Sequence, residues 1–136
     1  MNAIVVLAEE HQKLRPFLNQ IRTAADHGND DTLNDAIKVA HEALNEDLDR
    51  HISLEDDDVF PRIAEHLSPA MVQAFIDDHR EIQRVRDKLY ATRGNESRSL
   101  ALTLEELLQD HLEREENMLF PAAESNMTQQ ELDIDA

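Results

Sequence analysis

The chain is expected to be all-α, an antiparallel up-down-up-down four-helix bundle, and three observations point there. Aromatic residues make up 4% of the 136 positions and there are 2 glycines, while Ala, Leu, Glu, Asp and Arg dominate; such a composition favours helix and leaves few turn glycines for a sheet. Apolar residues recur at helical spacing along four long stretches. Three short breaks separate those stretches, "DHGNDD" (26–31), "HLSP" (66–69) and "RGNES" (93–97), each carrying the Gly, Pro, Asn or Ser that helix ends require. Long amphipathic helices joined by short connections pack as antiparallel neighbours.

The first helix is expected over roughly 2–26, with Ile4, Leu7, Leu14, Leu18 and Ile21 as its apolar stripe. The second spans roughly 31–58 with Ile37, Ala40, Leu44 and Leu48 facing in. Ser68-Pro69 reads as the cap and first turn of the third, whose stripe is Val72, Phe75, Ile76, Ile82 and Leu89. The fourth covers roughly 97–120 on Leu100, Leu104, Leu107, Leu108 and Met118. Pro61 and Pro121 lack an N–H, so each is expected to end a helix or to begin a short extra turn. Residues 1–124 therefore form one bundle, and 125–136 a polar tail free to fray, with "TQQE" (128–131) as a capping box inside it.

Composition also excludes function classes. The balance of 30 acidic against 13 basic residues, formally −17, repels phosphate backbones and anionic lipid, so neither nucleic acid nor membrane is an expected partner. No apolar run is long enough to span a bilayer, and "AIVVLA" near the start is too short and lacks a basic flank for a signal peptide, so a soluble, cytoplasmic protein is expected. With no cysteine there is neither a disulfide framework nor a thiolate metal site.

One arrangement occurs twice: "HISLEDDDVFP" (51–61) and "HLEREENMLFP" (111–121) each set a histidine four positions before a glutamate and close on Phe-Pro. Four residues along a helix are about 400° of rotation and roughly 6 Å of rise, so His51 lies over Glu55 and His111 over Glu115. Extending the stripes puts Leu44, Leu48, His51, Glu55 and Val59 on one face and Leu104, Leu107, His111, Glu115 and Met118 on another. The other two helices place His11 between Leu7 and Leu14, and His79 between Phe75 and Ile82. A lone histidine on an apolar stripe is an ordinary core residue. Four of them with two carboxylates would leave costly unpaired charge unless protons or metal ions compensate. Imidazole and carboxylate without thiolate suit iron, manganese or zinc, and two carboxylates with two histidines per metal suit a dinuclear centre.

The order H, HxxxE, H, HxxxE, with Phe-Pro after each HxxxE, resembles the hemerythrin-like HHE cation-binding domains over about residues 9–124. The resemblance implies a hemerythrin-like bundle in which His11, His51, Glu55, His79, His111 and Glu115 hold two irons, oxo- or hydroxo-bridged, with Glu55 and Glu115 bridging. Zinc or manganese would suit the same donors. It also implies a small diatomic or peroxide ligand. Hemerythrin itself carries an H-x-x-x-H pair on its third helix, where this chain has His79 flanked by Phe75 and Gln83. Its fourth-helix carboxylate is an Asp five residues after the histidine, where this chain has Glu115 at four, as the HHE repeats do.

Three functions follow from that resemblance: binding of oxygen, peroxide or nitric oxide; oxidoreduction of peroxide or repair of iron centres; iron storage or sensing without catalysis. An acidic interaction bundle with satisfied buried polar groups is the non-chemical alternative. Of the remaining side chains, Asp47 is expected either to orient His51 or to be a solvated surface acid, His41 to face inward without reaching the same metal, and His27 and His66 to cap helix ends. Tyr90 is kept as a substitute ligand.

Overall fold

The computed structural model describes residues 1–92, 94 and 96–135. Among them the segments are α1 (Ala3–His27), α2 (Asp30–Val39), π1 (Ala43–Asp47), α3 (Leu48–Leu54), π2 (Glu55–Val59), α4 (Phe60–Ala64), α5 (Pro69–Ala91), α6 (Glu96–Arg114), π3 (Glu115–Leu119) and α7 (Phe120–Asn126). They group into helical runs over 3–27, 30–64, 69–91 and 96–126. The only β-pairing among the described residues is an isolated antiparallel bridge between Asn2 and Asp133. No helix among them is long and apolar enough to cross a membrane.

Local chemistry explains the starts. The Asn2 side chain accepts from the Ile4 N–H at 2.8 Å, Asn29 from Thr32 at 2.9 Å and Ser68 from Met71 at 3.3 Å, each satisfying an amide that has no intrahelical partner. Gly28 follows α1 because a Cβ there would come within 2.8 Å of the Ala24 carbonyl. Of the third break, Gly94 adopts φ 89°, which favours glycine, while Arg93 and Asn95 lie outside the described residues.

The helices run further than expected, to residue 64 instead of 58 and to 126 instead of 120. Pro61 and Pro121 are accommodated because π2 and π3 lie immediately before them. In each, the phenylalanine N–H reaches five residues back, Phe60 to the Glu55 carbonyl and Phe120 to the Glu115 carbonyl. The widened turn relieves the clash that a proline ring makes with the preceding turn of an α-helix. It also adds one residue to the register. Hence Leu119, buried, takes the inward place expected of Met118, which is 55% exposed. Ile76, Leu100 and Leu107 are only partly buried, and Leu112 joins the core instead.

α1 packs against α2 and α6, and α5 packs against α4 and α6. Two apolar clusters result. One includes Leu14, Leu18, Leu48, Ile82 and Leu108; the other includes Leu7, Val59, Phe60, Phe75 and Leu119. The polar residues of interest lie between them. The stretch expected to be a frayed tail is tied down: Met127 and Leu132 are buried, and Ala3 N–H donates to the Leu132 carbonyl at 2.7 Å. Within it Thr128 and Glu131 exchange the reciprocal bonds of a capping box, at 2.9 and 3.1 Å.

Candidate metal centre

Each helical run delivers its expected side chains to one place. His11 comes from α1, His51 from α3 and Glu55 from the start of π2, His79 from α5, His111 from α6 and Glu115 from the start of π3; all six are buried, and both glutamates are 0% exposed. Glu55, His79, His111 and Glu115 bring ligand atoms within 4.8 Å of one another, and so do His11, His51 and Glu115. Glu115 belongs to both groups. Its Oε1 lies 3.3 Å from His11 Nε2 and 3.2 Å from His111 Nε2, while Glu55 Oε1 lies 3.1 Å from His51 Nε2 and 3.2 Å from His79 Nε2. Each carboxylate therefore stands between one histidine of each group.

The imidazoles are turned so that Nε2 faces inward, because every Nδ1 is engaged outside. His11 Nδ1 meets Glu116 at 2.9 Å, His51 Nδ1 meets Glu10 at 2.8 Å, His79 Nδ1 meets Asp56 at 2.7 Å and His111 Nδ1 meets Asp78 at 3.4 Å. These four contacts close a ring around the cluster: the acid bracing each histidine is the chain neighbour of a cluster residue on another helical run. Three of the acids are themselves held by arginine, Glu116 by Arg15 at 2.9 Å, Asp56 by Arg80 and Asp78 by Arg114. An Nδ1–H that donates to a carboxylate fixes the tautomer and leaves the Nε2 lone pair free for a metal.

What the inward atoms meet decides the chemistry. Among the described residues, His11 Nε2, His51 Nε2 and all four oxygens of Glu55 and Glu115 are buried without a hydrogen-bond partner, for the close approaches above are not aligned as hydrogen bonds. His79 Nε2 and His111 Nε2 face each other at 3.1 Å, two lone pairs in contact once both Nδ1 atoms carry the proton. A buried polar atom left unpaired costs about 1–3 kcal/mol, so this many in one place calls for cations between them. The donor set of four imidazoles and two carboxylates fits metal ions of intermediate hardness.

Protons are the alternative cation. Burial lowers the His51 imidazole, but Glu55 and Glu10 outweigh it and raise its pKa to about 10; His79 is likewise lowered by burial and raised by Asp56 and Glu55 to about 9. Burial, the largest single influence, raises Glu55, but His51, Glu115 and His79 together outweigh it and hold it well below the usual carboxylate range. A stability prediction follows for the metal-free chain. The histidine contribution is complete below the unfolded value of about 6.5 and is lost as pH rises through 9 and 10; the Glu55 contribution is present above about 4.5 and fades on acidification. The melting temperature of metal-free protein should fall between pH 7 and 10, and a flat profile there would contradict this charge pairing.

The repeated Phe-Pro acquires a purpose. Phe60 stacks on His79 with centroids 5.5 Å apart and planes at 10°, and Phe120 stacks on His11 at 5.5 Å and 24°. Each π-turn thus swings a phenylalanine onto an imidazole, fixing the ring and excluding water.

Of the other side chains singled out, His41 departs from its expected place, while His27 keeps its expected place in the last turn of α1. Asp47 binds Arg50 at 2.5 Å and not His51, whose brace is Glu10. His41 is exposed, its ring edge-on to Tyr90 at 4.9 Å, because the helical run is interrupted at residue 40. The Tyr90 hydroxyl donates to the Ile37 carbonyl at 2.8 Å, which removes it from the candidate ligands. His66 pairs with Glu131 at 2.5 Å, and His27 is exposed in the last turn of α1. Phe75 sits edge-on to His111 at 5.6 Å, and Gln83 donates to Asp49 at 3.1 Å, so neither turn neighbour of His79 supplies a ligand atom. The bracing acids escaped sequence reasoning; their only signal is adjacency to a cluster residue.

A family model described as the hemerythrin HHE cation binding domain matches residues 2–123. No curated relative and no solved structure matches the chain.

Proposed function

The chain belongs to the hemerythrin HHE cation-binding family, and from that premise we propose that it is a non-haem di-iron protein that binds or reacts with a small ligand such as oxygen, peroxide or nitric oxide. The observation that carries this reading is the sharing of Glu115 between two groups of buried ligand atoms, matched by Glu55 standing between His51 and His79. In it, His11 and His51 would hold one metal and His79 and His111 the other, with Glu55 and Glu115 available to both. A pair of irons held there supplies open coordination for a small ligand and exchange of two electrons. The chain's own part is to hold four Nε2 atoms inward through the ring of acids, to seat His79 and His11 against Phe60 and Phe120, and to set the site between two apolar clusters.

The fold that goes with this reading is the antiparallel up-down-up-down four-helix bundle. It is supported by the short connections at 28–29 and 65–68 and by the packing of α1 on α6, which brings the first and last runs together. A cytoplasmic setting without nucleic acid or membrane accords with the excess of 30 acidic over 13 basic residues.

Catalysis on peroxide or in repair of iron centres is a second reading, favoured by Phe75 and Gln83, which leave the turns on either side of His79 without a further ligand. Storage or sensing of iron requires only the six ligands. Reconstitution with ferrous iron followed by elemental analysis should give close to two irons per chain, and a reproducible value near one or none overturns the dinuclear reading. Turnover of hydrogen peroxide by that sample favours the enzyme; stoichiometric reaction favours binding or sensing.

A further inference from the structure

A cleft of about 220 Å³ opens from the surface onto the His11 and His51 side of the centre, between α1 and the π1–α3 segment. That space exceeds what a diatomic or peroxide fills. Part of its wall is apolar, Leu14 and Phe17 on one side and Ala43 and Leu48 on the other, and the rest is polar or charged. The wall is held from behind: the buried Arg86 guanidinium donates to the Leu44 carbonyl inside π1 at 3.2 Å and to Asp49 at 2.5 Å.

Charge at the mouth is specific. Of the two acids lining the cleft, Glu10 is engaged by His51 at 2.8 Å and Asp47 by Arg50 at 2.5 Å. Lys13, also in the lining, forms no ion pair among the described residues, although acids outnumber bases 30 to 13 in the chain. A slot that offers one apolar stretch of wall and, its other charged groups being paired, one uncommitted ammonium at its rim matches a short amphipathic anion.

We propose that this cleft binds a small organic monocarboxylate, its carboxylate held by Lys13 and its apolar body lying along Phe17 and Ala43, with the far end toward His11 and His51. The proposal rests on the di-iron reading and deepens it by naming the ligand class of the same centre. The test is calorimetric titration of iron-loaded protein with benzoate, hexanoate, acetate and benzyl alcohol, with metal content measured on the same samples. Benzoate and hexanoate are expected to bind saturably, and acetate and benzyl alcohol at least tenfold more weakly. Lys13→Glu should weaken benzoate at least tenfold and Lys13→Arg should retain it; Ala43→Leu, which fills the cleft, should abolish it. Lys13 is exposed, so its variants decide the matter even where Ala43→Leu fails to fold. No saturable benzoate binding, or an affinity unchanged by Lys13→Glu, overturns the proposal. Protein that holds two irons and takes up no benzoate refutes the cleft alone; protein that binds benzoate and holds no metal refutes the di-iron reading alone.

Discussion

Glu115→Ala is expected to reduce the metal content from two per chain to nearly none, whereas His11→Ala should leave about one. The difference follows from membership: Glu115 lies in both groups of ligand atoms and His11 in one. Glu115→Gln preserves side-chain volume while removing the charge, so it should lose metal as Glu115→Ala does and thereby separate lost ligation from a packing defect. Metal-dependent stabilisation should disappear with the content. Free metal at a thousand times its dissociation constant stabilises a folded protein by about 4 kcal/mol, so the shift in melting temperature on metal addition should vanish in both Glu115 variants. Elemental analysis and thermal melts with and without iron check this. Equal losses in His11→Ala and Glu115→Ala would show that Glu115 does not serve both positions.

Much of this centre was legible because a helix converts spacing into direction. The residues at His51 and Glu55, or His111 and Glu115, face one way for any sequence that stays helical, and Leu44, Leu48 and Val59 on the one run and Leu104 on the other fix that direction as inward. The same rule failed where the helix did not stay α. One extra residue in π3 moved the core position from Met118 to Leu119, and nothing in local propensity announces a π-turn before Phe-Pro. Pro61 and Pro121 read as stops because a proline in an α-helix clashes with the preceding turn; the widened turn removes the clash and the helix continues. The bracing acids were hidden for a different reason. Asp56, Asp57 and Asp58 are chemically alike in the sequence, and only tertiary packing aims Asp56 at His79 while Asp57 stays exposed. In a chain with 30 acidic residues, an acid beside a cluster residue carries little information.

That contrast gives the second large effect. Asp56→Ala should weaken metal binding by about 10–100-fold, the usual consequence of removing the acceptor that orients a ligating imidazole, and Asp57→Ala, which deletes the same charge one position away, should leave it unchanged. The mechanism is local: without Asp56 the His79 ring loses its 2.7 Å contact at Nδ1, so neither its tautomer nor its rotation is fixed against the stacked Phe60. Asp56→Asn, whose side-chain oxygen still accepts from Nδ1–H, should fall between the two, since it keeps the orientation and loses the charge that makes Nε2 a better donor. Arg80, which loses its partner in Asp56→Ala, is exposed, so the folded state should tolerate the change. Competition against a chelator of known affinity measures the effect, with helical circular dichroism of the metal-free proteins as the check on folding. If Asp57→Ala weakens binding as much as Asp56→Ala, the loss reflects the overall negative field of the chain and not the brace on His79.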